Sequence, residues 1–261
     1  MDISLNGKTA VVCGSSQGIG LAVAQELAGL GATCILLARN EQTLKDALAR
    51  LPAAYQQRHA YRVADFSQPE QVSMAAEEIS RATDVHILVN NTGGPAAGPI
   101  IEADENAFLS AFNQHIICNQ LLVKAFFPAM RSAGYGRIIN IVSTSVKIPL
   151  LNLGVSNTIR GAVASWARSM ANELGEYGIT VNNVLPGFTD TQRLSSLMEG
   201  NAKRSGKPVE DIRQAMLREI PLKRFAKPAE TAALAAFLAS PAAAYITGTS
   251  IRVDGGRTGS I

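Results

Sequence analysis

Three cysteines, Cys13, Cys34 and Cys118, are scattered through the chain with no Cys-x-x-Cys pair, so neither a disulfide framework nor a zinc site is expected. Aromatic residues make up only 5% and charged residues 17%, while hydrophobic residues reach 47%. That apolar share excludes wholesale disorder, and with so few aromatics the core must be Ala, Val, Ile and Leu. Such a composition suits a buried parallel sheet covered by helices. No run of about 18 uncharged apolar residues occurs, which excludes an ordinary membrane-spanning helix. The opening residues MDISLNGK lack a basic segment followed by an apolar one. No secretory signal is therefore read, and the expected location is the cytoplasm. Net charge is only +3, too mild to indicate nucleic-acid binding, and no basic-aromatic stripe appears. No repeat, low-complexity tract or Pro/Gly/Ser linker interrupts the 261 residues, a length that α/β domains commonly fold as one unit.

What is present is alternation. Short apolar runs at 9–13, 33–38, 59–63, 87–89, 137–142, 179–185 and 250–253 read as strands. Between them, helical patterns cover 19–30, 41–51, 71–82 (with Pro69 at its start), 104–130, 161–177 and 229–238. Strands alternating with helices throughout predict one α/β domain over 1–261, a doubly wound Rossmann-type parallel sheet with helices on both faces. The stretch 188–227 breaks the alternation with two polar helical pieces separated by Ser205-Gly206-Lys207-Pro208. It falls where ligands bind in open α/β sheets, so it is either a lid or a static helical decoration. Within it, 200–227 holds eight basic and three acidic side chains, a net +5. That excess is either a solvated helix pair or an attractor of an anionic substrate or carrier, such as an acyl thioester.

The first strand runs into Gly14-Ser15-Ser16-Gln17-Gly18-Ile19-Gly20. Gly14 permits the tight turn out of the strand, Gly18 lets backbone approach a pyrophosphate, and Gly20 lets the helix pack closely on the sheet. The helix N-terminal amides along Ser16, Gln17, Gly18 and Ile19 then face the anion. A purely structural turn is the alternative. After the second strand, an acidic residue would select NAD by binding the ribose 2′-hydroxyl. Ala38 stands there, followed by Arg39, whose guanidinium can hold a 2′-phosphate bidentately. NADP is therefore expected in preference to NAD, against the alternative of a solvated arginine. Asp65, after the third strand, could accept from the adenine amino group or act only as a local helix-start residue.

These motifs, taken together, resemble the short-chain dehydrogenase/reductase family over nearly the whole chain. Gly14–Gly20 matches its glycine motif, with Cys13 where Thr is usual. Asn90-Asn91-Thr92-Gly93 resembles its Asn-Asn-Ala-Gly stretch, and the strand ending at Ser143 resembles the one that leads to its catalytic serine. Pro186-Gly187, Ile246-Thr247-Gly248 and Val253-Asp254-Gly255-Gly256 match its later signatures. The pattern is most similar to acyl-carrier-protein 3-oxoacyl reductases. The resemblance implies a hydride-transferring oxidoreductase acting on a small-molecule or acyl-thioester carbonyl or hydroxyl. It also implies homodimers or homotetramers, and contacts to the cofactor from Asn91, Gly93, Pro186, Gly187 and Thr189.

The family's catalytic Asn, Ser, Tyr and Lys map less well. Ser143 fits the serine. Counting from Ser143 and back from Gly187 puts the tyrosine position at Ser156 and the lysine position at Arg160, and the asparagine position falls on His115. No Tyr-x-x-x-Lys occurs anywhere. Ser156 and Arg160 still share one helix face. Arg160 can hold ribose hydroxyls and stabilise negative charge, but with a pKa above about 12 it cannot pass on a proton. His115, with an ordinary pKa of about 6.5, and Lys147, in the loop after Ser143, are the candidate replacement donors. Each also has a plain reading, as a packed helix histidine and a solvated loop lysine. Two functions follow: an NADP-dependent oxidoreductase with an atypical proton donor, or a cofactor-binding or structural subunit of a partner reductase without redox activity of its own.

Overall fold

The computed structural model describes residues 1–259. Its strands are β1 (Thr9–Cys13), β2 (Thr33–Ala38), β3 (Ala60–Val63), β4 (Ile87–Asn90), β5 (Gly136–Ile141), β6 (Ile179–Pro186) and β7 (Ser250–Val253). All pair in parallel, in the order β3-β2-β1-β4-β5-β6-β7. The order reverses between β1 and β4, which opens a crevice at their carboxyl ends. β1, β4, β5 and β6 are buried along their whole length; β1 is wholly apolar but for Thr9 and β4 but for Asn90, whereas β5 and β6 bury several amides.

Helices α1 (Gly18–Gly29), α2 (Glu41–Leu48) and α9 (Pro228–Ala239) pack on one sheet face around Val12, Leu36 and Val89. On the other face, α3 (Pro69–Ala82), α5 (Cys118–Ala133) and α6 (Gly154–Leu174) pack around Val11, Leu88 and Ile138. The three cysteines are buried and free. The expected 104–130 helix is broken in character, although the chain runs on as helix. It consists of α4 (Glu105–Phe112), a π-helical turn (Asn113–Ile117) and then α5.

The larger departure is α6, which starts at Gly154 and not at 161. Its first turns, GVSNTIR, bury Val155 and Ile159 at the spacing that Val163 and Ala167 continue, but Ser156, Asn157, Thr158 and Arg160 dilute that period. Tertiary contacts also hold this start. A Cβ on Gly154 would lie 2.7 Å from the Ile100 Cα, and Asn157 Nδ2 donates to the Leu150 carbonyl at 2.8 Å. The 188–227 segment forms α7 (Gln192–Ser205) and α8 (Val209–Arg218). Its two ends are stitched together: Asp190 N–H donates to Ala226 O at 2.8 Å and Ala226 N–H to Phe188 O at 2.9 Å.

A row of amides crosses the buried sheet. Asn90 Nδ2 donates to Asn140 Oδ1 (2.8 Å), Asn140 Nδ2 to Asn183 Oδ1 (2.9 Å), and Asn183 Nδ2 to Ser250 Oγ (3.1 Å). Each donor sits in register with its acceptor, so the ladder locks the pairing of β4 through β7 one level below the crevice. Asn90 Oδ1, at the ladder's end, is buried without a partner. Asn140→Ala would strand Asn90 Nδ2 and Asn183 Oδ1 together. A loss of about 3 kcal/mol is expected in urea unfolding, since each stranded buried group costs about 1–3 kcal/mol. An unchanged midpoint would show that the ladder contributes nothing.

Candidate active site

The glycine turn at the switch point is built by contact. Gly14 and Gly18 have φ of +56° and +58°, the left-handed region that a side chain rarely adopts. A Cβ on Gly20 would run into the Gly14 carbonyl oxygen and lie 2.7 Å from Asn91 Nδ2. Asn91 Nδ2 donates to both the Cys13 and Gly14 carbonyls at 3.2 Å. The side chain expected to meet cofactor therefore clamps the turn that would hold it. Ser15, not singled out from sequence, is fully buried and accepts from Leu37 N–H at 3.1 Å, tying the turn to β2. Gln17, exposed and extended, precedes α1 with no side-chain cap. The first-turn amides are consequently left for an anion. Ser16 is half-buried beside it, and Ile19 packs on the core.

Arg39 is exposed at the end of β2, and no carboxylate forms an ion pair with it among the described residues. Asp65 accepts from Ser67 N–H at 2.9 Å. Those Ser67 hydrogen bonds, helped by the charge of Arg39, hold its carboxyl below the usual range. Gly93 is open: a Cβ there would meet nothing within 4 Å. Across the crevice Pro186 ends β6, Gly187 N–H donates to Val253 O at 2.9 Å, and Thr189 Oγ1 donates to Gly187 O at 3.3 Å. Thr191, which caps α7, reaches Gly18.

The candidate catalytic residues gather at the end of β5. Ser143 accepts from Ser145 N–H at 3.1 Å and caps a short 3-10 turn. Arg160 donates to the Ile141 carbonyl at 3.0 Å, which places its guanidinium beside that strand end. Ser156 is buried one helical turn earlier on α6, and its hydroxyl has no protein partner among the described residues. Lys147 is exposed in the following loop, likewise without a partner. Burial, with Arg193 alongside, pushes Arg160 down to about 10, lower than the sequence expectation, yet still cationic at neutral pH.

His115 lies in the π-helical turn, 4% exposed. Its Nδ1 shares a 2.7 Å hydrogen bond with Thr92 Oγ1, and its Nε2 is buried without a partner. Burial first, and then the charge of Arg160, lowers its pKa to about 3, against the pull of the Gly93 backbone. The imidazole is therefore neutral at pH 7 and has no imidazolium proton to give. The expectation that an ordinary histidine pKa suits it for proton transfer does not survive its burial.

Two participants escaped the sequence reading. Thr92, which stands where the family's stretch has Ala, is His115's partner, so two departures from one family pattern touch. Arg193, on the first turn of α7, donates to the Pro95 carbonyl at 2.7 Å. Its guanidinium and that of Arg160 both approach Gly94, at 3.3 and 3.5 Å from where a Cβ would stand. Nothing in the local sequence around Arg193 announces this.

Known proteins share this chain's sequence pattern and fold. The family described as enoyl-(acyl carrier protein) reductase matches residues 14–258. The 3-oxoacyl-(acyl-carrier-protein) reductase FabG of Pseudomonas aeruginosa is 35% identical over 97% of this chain and 98% of its own. The NADPH-dependent reductase BacG of Bacillus subtilis is 32% identical over 98% of this chain and all of its own. The crystal structure of L-sorbose reductase from Gluconobacter frateurii, complexed with NADPH and L-sorbose, superposes with a TM-score of 0.92 at 31% identity, covering 100% of both chains.

A depressed histidine pKa makes stability depend on pH with a definite sign. As pH falls below 6.5, the ordinary value, the unfolded chain takes up the His115 proton before the folded one does. This contribution is complete above pH 6.5 and is lost at up to about 1.4 kcal/mol per pH unit as pH falls toward the folded value. His115→Gln should flatten this part of the acid limb when urea unfolding is compared between pH 7 and pH 5. Parallel limbs for the two proteins would mean that His115 titrates normally.

Proposed function

The chain belongs to the short-chain dehydrogenase/reductase family, and from that membership and the geometry we propose an NADP-dependent oxidoreductase that interconverts a carbonyl and a hydroxyl. The observation that carries this reading is the adjacency of two features at the sheet's carboxyl end. One is the glycine turn with its uncapped helix amides, and the other is the group Ser143, Ser156 and Arg160.

The residues present fit NADP. The amides from Ser16 to Gly20 suit its pyrophosphate. Arg39, in no ion pair among the described residues, suits the 2′-phosphate, and Asp65, which feels its charge, suits the adenine edge. The open surface at Gly93 leaves room for the dinucleotide between Asn91 and the Pro186, Gly187 and Thr189 wall. Arg160 is placed to hold ribose hydroxyls. When bound, NADPH supplies a hydride.

The chain's own groups must then hold and protonate the substrate oxygen. Ser143 and Ser156 donate hydrogen bonds to it. Arg160, cationic and largely desolvated, stabilises the negative charge that develops there. Arg160 keeps its proton, and His115, held neutral, offers only a weakly acidic ring N–H. We assign the atypical proton source to Lys147, exposed on the loop after Ser143, acting through the Ser156 hydroxyl. His115 acts as a positioning residue that holds Thr92 and the loop after β4. The 188–227 segment acts as a lid, latched by Arg193 on the Pro95 carbonyl.

NADPH oxidation with a panel of ketones and 3-oxoacyl thioesters tests the activity. No turnover at any pH, with NADPH bound, would remove the oxidoreductase reading and leave a cofactor-binding subunit. Arg39→Ala should weaken NADPH binding by about 10- to 100-fold, the worth of a charged hydrogen bond, while leaving NADH unchanged. An equal effect on both cofactors would place the 2′-phosphate elsewhere. Lys147→Met and Arg160→Met should each lower kcat by about a hundredfold or more. Full activity of Lys147→Met would remove it as the proton source.

A further inference from the structure

The basic side chains of the lid region differ in whether they are paired. Arg213 faces Glu210, Arg224 faces Glu230, and Arg257, beyond the lid, faces Glu219. Arg193 and Arg204 have no carboxylate within ion-pair distance among the described residues. These two line a cavity of about 260 Å³ with Ala97, Ser196, Leu197 and Gly200, between α7 and the loop after β4. At its inner side the Arg193 guanidinium approaches Gly94 alongside that of Arg160. Arg160 too has no carboxylate within ion-pair distance among the described residues. Two like charges brought together in a partly desolvated site repel, and burial already lowers the affinity of Arg193 for its proton. A bound anion would relieve both effects. Each guanidinium has spare donors, since Arg193 uses Nη2 on Pro95 O and Arg204 uses Nη2 on Asn201 Oδ1.

We propose that this cavity is the substrate subsite for an anionic group, and that the substrate is a small carbonyl or hydroxyl compound carrying a carboxylate or phosphate. Arg193 is the specificity-determining residue, with Arg204 at the outer wall and Arg160 at the reacting end. The inference rests on the oxidoreductase reading, which it deepens by naming the substrate class. The other walls are small or apolar, so the remainder of the molecule is compact. Lys203, Lys207, Arg218, Lys223 and Lys227 are likewise in no ion pair among the described residues, but only Arg193 and Arg204 line the cavity.

The test is calorimetric titration of the NADP⁺-loaded full chain at low and high salt. The probes are 4-oxopentanoate against its methyl ester, and dihydroxyacetone phosphate against dihydroxyacetone. At least one anion should bind about tenfold or more tightly than its neutral counterpart, less so at high salt, and the pair that discriminates identifies the anionic group. Arg193→Gln should abolish the discrimination while NADP⁺ affinity stays unchanged. Neutral and anionic probes binding alike would overturn the proposal. So would a loss of NADP⁺ affinity in Arg193→Gln, which would assign the arginine to the cofactor's phosphates. If NADP⁺ fails to bind the wild-type chain, the oxidoreductase reading fails separately, and the same titrations on the unloaded chain still decide the anion site.

Discussion

The amide of Asn91 joins the end of β4 to the end of β1, and the site is arranged around that junction. By donating to the Cys13 and Gly14 carbonyls it satisfies two acceptors that the tight turn leaves outside the strand ladder. With that contact in place there is no room for a side chain at Gly14 or Gly20. The helix can then start directly over the switch point, with its first amides toward the crevice. The same residue sets where Thr92 and Gly93 leave the sheet, and so fixes the hydroxyl that meets His115. One side chain couples the cofactor cradle to the catalytic side of the crevice.

Below this junction, the ladder from Asn90 to Ser250 carries the sheet's pairing through an otherwise apolar interior. Buried amides are costly unless partnered, so the ladder specifies register: a slip of one residue would break every link. Above it, charge is managed by burial. His115 is kept neutral, Arg160 stays a cation near Arg193, and no carboxylate among the described residues pairs with either arginine. The resulting potential favours an anion at the place where an oxyanion would form, with a second anionic group held further out by Arg193.

The fold was legible because its signals are local and redundant. β1, β2 and β7 fall where the apolar runs lie, and the turn glycines stand where backbone conformation demands them. The start of α6 was less legible because four polar residues, Ser156, Asn157, Thr158 and Arg160, dilute the Val155, Ile159, Val163 period there. Its first residues are also held by Gly154 against Ile100 and by Asn157 against Leu150. Within the site, Ser143 and Arg160 could be placed by counting from motifs. The His115–Thr92 pair could not, because 23 residues and a π-helical turn separate its members.

Residue identity by itself determined the parallel α/β architecture, the glycine turn, the absence of the usual Tyr-x-x-x-Lys, and the positive end of β2. These follow from backbone preference, hydrophobic period and formal charge, which each segment carries alone. Tertiary structure decided which charges count. It buried His115 so that its imidazole stays neutral, set Arg160 beside Arg193 with no carboxylate in ion-pair distance among the described residues, and paired Arg213, Arg224 and Arg257 with glutamates. Protonation and pairing depend on desolvation and on neighbours distant in the chain, and only the folded arrangement supplies those.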